Sequence, residues 1–261
     1  MFGLSFHPYG LLIGIALVAG WECVQRACLR YGYSFKKMQK MYVLIITIGF
    51  IFARLWHGIT DWSLYVQNPA ALLYVWNGGL SIIGGIVGGG LATMAILFTQ
   101  KKRTSLGRKP LTLFVVTDLL VHALPVSQAI GRVGNFVNQE LYGLPTNLPW
   151  GIYIDPEHRL PSVITQSYFH PLFLYEIILN LAIAVILWRR KWAIGAGGAT
   201  GLYLMLYGIG RFLLDFLRID HGDLVWLGFS LNQYVLLMLA FGGLILLWRR
   251  RYHNTSTKTG K

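Results

Sequence analysis

LTLFVVTDLLVHALPVSQAI, residues Leu111–Ile130, runs directly into GRVGNFVNQELYG, residues Gly131–Gly143. The first stretch has the ~20 residues that a helix needs to cross the hydrocarbon core of a bilayer. The second sets an Arg, two Asn, a Gln and a Glu at the end of that apolar run. The whole chain has the composition that such a span implies. Of its 261 residues 55% are hydrophobic and 13% charged, against roughly a quarter charged in an ordinary soluble domain, and the mean hydropathy is +0.53. The net charge of +13 would suit nucleic acid if the basic residues formed a patch among stacking aromatics. They fall instead in short clusters between apolar runs, as membrane topology signals do, so no nucleic-acid partner is expected.

Seven runs are long enough to span: about Tyr9–Leu29, Tyr42–His57, Gly79–Thr99, Leu111–Ile130, Pro171–Trp188, Ala199–Leu217 and Ser230–Trp248. The fold class expected is an all-α polytopic membrane protein with seven transmembrane helices. Residues 1–252 form one membrane domain with an outer loop or arm at about 141–170, and residues 253–261 a short polar tail. Of the 23 Lys and Arg, 18 lie in the connections after spans one, three, five and seven. By the positive-inside rule those connections are cytoplasmic, which puts the N-terminus outside and the C-terminus inside. No Lys or Arg precedes the first apolar run, so that run is expected to be a retained span and not a signal peptide. Cys23 and Cys28 sit five apart on different faces of this helix and are expected to form neither a disulfide nor a metal site.

The five remaining cations are Arg54, Arg132, Arg159, Arg211 and Arg218. With direction fixed, all but Arg159, which belongs to the outer loop, fall at the outward ends or outer half of spans. The same level collects Tyr9, Asn77, Asn135, Asn138, Glu140, His170, Tyr175, Glu176, Tyr207, Asp215, Asn232 and Gln233. A charge in a bilayer costs on the order of 3 kcal/mol or more and persists where it is paired or lines a cavity. A polar cavity at outer-leaflet depth is therefore expected. Arg54 and Arg218 also fit interfacial anchors that snorkel to water. Guanidinium is always charged and offers a planar fork suited to phosphate, so several Arg at this depth point to a phospholipid headgroup. Arg211 and Asp215 are four apart on one helix face. Asn135 and Asn138, three apart, face the same way in a helical turn, and Gly143 suits a turn. The helix is expected to break along this stretch, which membranes tolerate only against protein or water.

Two further segments read as structural. The connection Leu141–His170, with four prolines, is an ordered loop or interfacial arm whose PWGIY (Pro149–Tyr153) suits headgroup level. The run GGLSIIGGIVGGGL, Gly78–Leu91, has small-xxx-small spacing at Gly84/Gly88 and Gly85/Gly89, a signature of close helix packing.

GRVGNFVNQELYG resembles the signature of the prolipoprotein diacylglyceryl transferases of bacterial lipoprotein maturation. PYGLLIGIAL, FARLWHG, VWNGGLSIIGGIVGG, HPLFLYE and YGIGRFLLDFLR resemble further blocks of that family, in its order, and the likeness runs from Tyr9 to about Trp248. The resemblance implies a multi-pass enzyme of the bacterial cytoplasmic (inner) membrane with its active site facing the outer leaflet. It implies transfer of the diacylglyceryl group of phosphatidylglycerol to the thiol of the lipobox cysteine in a prolipoprotein signal peptide. The residues matching family positions are Tyr9, Arg132, Asn135, Glu140, Gly143, Tyr207 and Arg211, with Asp215 where a Glu is common. Arg132 and Arg211 are the expected catalytic pair, stabilising the departing phosphate. Tyr9, Arg54, Asn135, Asn138, Glu140, Gly143, Tyr207 and Asp215 join them in binding phosphatidylglycerol, with His170, Tyr175, Glu176 and Arg218 as auxiliaries. No metal or cofactor is called for.

One departure bears on mechanism. Where many relatives read SFHGG, with a histidine proposed as base for the thiol, this chain reads SIIGG and has Ile83 at that position. Three outcomes stay open: the positive pocket activates the thiol unaided, His170 or Glu140 serves as base, or the chain is a non-catalytic phospholipid-binding paralogue. A flippase is disfavoured by the apolar inner halves of the spans, and a transporter by the lack of visible inverted repeats.

Overall fold

The computed structural model describes residues 8–74, 78–100, 111–219 and 225–256. Eight α-helices occur among them: α1 (Pro8–Tyr31), α2 (Phe35–Thr60), α3 (Ile82–Gln100), α4 (Leu113–Leu120), α5 (Leu124–Val137), α6 (Leu172–Arg189), α7 (Gly198–Asp215) and α8 (Leu231–Ser256). Two hairpin-like pairs of very short strands complete the regular structure: β1 (Ile152–Tyr153) with β2 (Tyr168–Phe169), and β3 (Val225–Trp226) with β4 (Phe229–Ser230). Helices α1, α2, α3, α6 and α8 are long and apolar enough to cross a membrane, and the pair α4–α5 makes a sixth candidate if counted as one span. Helix α7 falls short on composition, because glycines, Arg211 and Asp215 interrupt it.

Two boundaries differ from the sequence reading. The second span is the middle of a 26-residue helix that starts at Phe35, so Lys36, Lys37 and Lys40 form its first turns and not a loop. Lys, Met and Gln are good helix formers, and nothing before Gly49 interrupts them. The fourth span is broken earlier than expected, at residues 121–123, with a 46° bend between α4 and α5. Pro125 causes it: proline lacks an N–H and clashes with the preceding turn, so it cannot continue α4 but suits the first turn of α5. Arg132 and Asn135 consequently lie on regular helix.

The chain forms two compact units, Val24–Val116 and Met1–Cys23 with Thr117–Lys261. In the first, α2 packs on α3 through the predicted glycines. A Cβ on Gly88 would lie 2.9 Å from the Ile48 carbonyl oxygen, and one on Gly84 2.9 Å from Ala53 Cα. In the second, α5 packs on α6, α6 on α7 and α7 on α8. Backbones of α7 and α8 touch, since a Cβ on Gly208 would fall 2.7 Å from Leu236 O and one on Gly201 2.8 Å from Gly243 O.

The start of α7 is fixed by a carboxylate from α4. Asp118, fully buried, accepts hydrogen bonds from the backbone N–H of Gly195 and Gly197 (3.0 Å each) and Thr200 (2.9 Å), and from the Thr200 hydroxyl (2.7 Å). Helix N-termini carry unpaired N–H groups and a partial positive charge, so this buried anion is compensated. The connection Leu141–His170 is folded: Tyr142, Ile154 and Phe169 form a small apolar core beside the β1–β2 pair.

Candidate active site

The polar end of α5 is built as a relay. Arg132 Nε donates to Glu176 Oε2 at 2.6 Å and its NH1 to Asn135 Oδ1 at 3.0 Å. Asn135 Nδ2 in turn donates to Glu140 Oε2 at 3.2 Å, and Asn138 Nδ2 to Glu140 Oε1 at 3.3 Å. The two amides thus share one face, as their spacing predicts. For Glu140 to fold back, the chain turns through Gln139 (φ 52°) and Leu141 (φ 55°), a left-handed conformation uncommon without glycine. Such residues persist where their surroundings over-determine them. Here the Gln139 amide accepts from Asp155 N at 2.7 Å and donates to the Asp155 carboxylate, so the connection Leu141–His170 holds the turn.

Glu176, on the first turns of α6, is completely buried. Its Oε2 meets Arg132, and its Oε1 lies 3.2 Å from Arg211 Nε on α7. Asp215, one turn beyond Arg211, lies 3.8 Å from Arg211 NH1 and 3.7 Å from Arg218 NH1. It is anchored by Asn232 Nδ2 (2.8 Å) and the Ser230 hydroxyl (3.2 Å), while the Gln233 side chain accepts from Ser230 N at 2.8 Å. The result is an alternating row, Arg132–Glu176–Arg211–Asp215–Arg218, with three cations on two anions. Tyr207, stacked on Tyr203 with ring centres 5.6 Å apart, lies within electrostatic reach of Arg132, Glu176 and Arg211. Arg211 NH1 is buried and has no hydrogen-bond partner among the described residues. An always-charged donor left in that state is costly.

Glu176, expected as an auxiliary that hydrogen-bonds in the cavity or pairs with an Arg, pairs with two, Arg132 and Arg211, and so stands at the centre of the row. Arg218 belongs to the row through Asp215. Gly143 is no turn glycine: it bridges Arg218 as in an antiparallel ladder, and a Cβ there would lie 2.7 Å from Leu217 O and 3.0 Å from His170 Cβ. It permits the connection Leu141–His170 to close onto the end of α7. His170 and Tyr175 form a separate group, with His170 Nδ1 3.1 Å from the Tyr175 hydroxyl, which also accepts from Trp150 Nε1 at 2.8 Å. The Tyr9 side chain and Asn77 lie outside the described residues.

Arg54 has a different task from the headgroup contact expected of it. The residue is 7% exposed and its guanidinium donates to five backbone carbonyls: Leu72 (2.8 Å), Ala71 (2.8 Å), Tyr74 (3.2 Å), Gly79 (2.9 Å) and Gly78. All five N–H donors of the group are thereby matched, and Arg54 shapes the segment that leads into α3. Beside it the structure shows a pair that sequence reasoning passed over: His57 Nδ1 lies 2.8 Å from Asp61 Oδ2. Their i,i+4 spacing was the available signal. Among the described residues no group of three or more His, Cys, Asp or Glu could hold a metal ion.

A buried Arg211 and partly buried Arg132 and Arg218 alternate with the buried carboxylates of Glu176 and Asp215, in a chain with five helices long and apolar enough to cross a membrane, or six if α4–α5 is one span; such a row suits a membrane protein that holds an anionic group. Residues 1–249 match the family model described as prolipoprotein diacylglyceryl transferase. The chain is similar to proteins named phosphatidylglycerol–prolipoprotein diacylglyceryl transferase from Cutibacterium acnes (37% identity, covering 95% of this chain and 83% of the relative), Synechococcus elongatus (35%; 94% and 84%) and Halalkalibacterium halodurans (34%; 97% and 86%). It belongs to the prolipoprotein diacylglyceryl transferase family.

Proposed function

We propose that this chain transfers the diacylglyceryl group of phosphatidylglycerol to the thiol of a lipobox cysteine in a prolipoprotein signal peptide. The observation that carries the reading is the row centred on Arg211. Arg211 NH1, buried with no hydrogen-bond partner among the described residues and 3.8 Å from Asp215 Oδ1, is a donor that a phosphate oxygen satisfies. The thiolate attacks the terminal glycerol carbon, the C–S bond forms as the C–O bond to phosphate breaks, and glycerol phosphate leaves. Charge grows on the departing phosphate during that step. Arg132 and Arg211, preorganised by Glu176, stabilise it more than they stabilise the starting diester. Asn135, Asn138 and Glu140 orient Arg132, while Tyr207, Asp215 and Arg218 complete the wall and Tyr9 contributes from α1.

In this reading residues 1–252 are a single seven-span domain of the bacterial inner membrane, α4–α5 and α7 each counting as one crossing. The N-terminus is outside, the C-terminus cytoplasmic and the site open to the outer leaflet, as the Lys and Arg distribution supports. The test is transfer of labelled diacylglyceryl from phosphatidylglycerol to a lipobox peptide by the purified protein, beside Arg132→Ala and Arg211→Ala. Wild type transfers, and each variant loses about 10²–10³-fold. Wild type that retains phosphatidylglycerol but transfers nothing would show a lipid-binding paralogue instead.

A further inference from the structure

We propose that the acceptor peptide binds beside the row as a strand added to β1, with one apolar side chain in the pocket between β1 and the facing ends of α5 and α6. The inference rests on the transferase reading above. Phe136 and Val137 of α5, Ile152 and Ile154 of the β1 segment and Phe173 of α6 line a pocket of about 250 Å³. That exceeds the ~150 Å³ of a cavity that takes benzene and falls short of the ~300 Å³ at which sites for whole drug-sized ligands begin. It fits one large side chain and not the acyl chain of a lipid. Phe136 and Val137 are exposed, so the α5 wall is open to a ligand. The pocket stands one helical turn from the first ion pair of the row. Phe136 is four residues after Arg132 on α5 and Phe173 three before Glu176 on α6, with the two rings 5.2 Å apart. A turn rises ~5.4 Å and extended chain advances ~3.3 Å per residue. A cysteine two or three residues from the anchored side chain therefore comes level with Arg132 and Glu176.

The backbone of β1 is arranged to receive such a strand. It pairs with β2 through Ile152↔Phe169 and Tyr153↔Tyr168, and Ile154 N donates to Ser167 O at 3.2 Å. Hydrogen-bonded positions alternate along an antiparallel ladder, so Ile152 and Ile154 bond toward β2 while the N–H and C=O of Tyr153 point to the opposite edge. No partner for either occurs among the described residues. The next N–H on that edge, of Asp155, donates to the Gln139 side-chain oxygen at 2.7 Å. Gln139 thus stands where a neighbouring strand would, and it also lines the pocket. The edge is closed at Asp155 and open at Tyr153. Exposed strand edges are templates for pairing with another chain, and strand addition draws affinity from main-chain bonds and specificity from pockets for alternate side chains. A fatty chain has neither N–H nor C=O to offer Tyr153. The acceptor of the proposed reaction, a peptide, has both.

The experiment uses the full-length protein, phosphatidylglycerol and cysteine peptides in which leucine is exchanged for serine two or three residues to either side of the cysteine. In wild type one such exchange is expected to raise KM for the peptide about ten- to a hundredfold, with KM for phosphatidylglycerol unchanged. In Phe136→Ala, which removes a wall, and Val137→Trp, which fills the pocket, the leucine peptide falls to the level of the serine peptide, so the exchange costs little there. A photoreactive leucine at the same position, in a peptide whose cysteine is replaced by serine, is expected to label residues 136–139 and 152–154 with no transfer required. The inference is overturned if the exchange costs the same in wild type and both variants, or if the label falls elsewhere. It is also overturned if the two variants raise KM for phosphatidylglycerol and not for the peptide, which makes the pocket an acyl-chain site. If wild type transfers nothing but the label falls in the pocket, the transferase reading falls and the peptide site stands as a binding site.

Discussion

Replacing Glu176 with Gln keeps the shape of the side chain and removes the one charge that separates Arg132 from Arg211. In the native protein its two oxygens lie 2.6 Å and 3.2 Å from guanidinium nitrogens, and the residue has no exposed surface. With an effective dielectric of ~20, each cation–anion pair at about 4 Å between charge centres contributes ~4 kcal/mol of attraction. Desolvation of the three ions offsets much of that sum. Losing one member of a buried set still costs about 3–5 kcal/mol, because the partners stay buried and uncompensated. For a chain of this size that is a fall in melting temperature of roughly 6–20 °C, read by thermal unfolding in detergent. Phosphatidylglycerol should recover part of it, since a phosphate between the two Arg replaces the missing carboxylate, and a neutral glycolipid, which has no phosphate, should not. An unchanged melting temperature in Glu176→Gln would refute the placement of Glu176 as their shared counterion. Equal recovery by both lipids would refute the phosphate site.

Other expectations are equally direct. Asp118→Ala leaves the N–H groups of Gly195, Gly197 and Thr200 without their acceptor; a loss of ~1–3 kcal/mol should appear as faster hydrogen exchange at those amides, with α8 unaffected. Gly208→Leu must push α7 from α8 against the Leu236 carbonyl, at ~1–3 kcal/mol or more, lowering the melting temperature and the transfer rate together. Arg54→Lys should fare nearly as badly as Arg54→Ala, because an ammonium has three donors on a flexible stem where five carbonyls are arranged around a planar fork; protease sensitivity of the 70–80 segment reports it.

Much of this was legible from residue order because the bilayer imposes strong constraints. Apolar length located the apolar middle of each helix, although α2 begins at Phe35, α8 runs on to Ser256 and the fourth span is split, and the glycines of α3 read correctly as a packing face, since both signals are local. The polar end of α5 was also legible: a charged and amide-rich run after an apolar one has few places to go. What escaped was decided by contacts far apart in sequence. Arg54 and Arg132 look alike as cations near span ends, yet one meets backbone carbonyls 17 to 25 residues away and the other a carboxylate 44 residues away. Glu176 offers nothing locally to show that two guanidiniums converge on it. Asp118 reads as a stray charge in an apolar helix until the N–H groups of residues 195–200 arrive. His57 and Asp61 carried a local signal in their i,i+4 spacing.

Helix α7 is held at both ends, by Asp118 at its first turn and by Asn232 and Ser230 through Asp215 at its last. Its 18 residues span about 27 Å, a little less than a typical hydrocarbon core of ~30 Å. In the proposed seven-span topology α7 is one crossing; a helix already shorter than the core cannot reach across a thicker membrane by tilting, so the lipid thins where it meets the protein. The depth of Arg211 is then set by the protein alone, so that lengthening the acyl chains of the host membrane moves the substrate headgroup relative to a fixed cation.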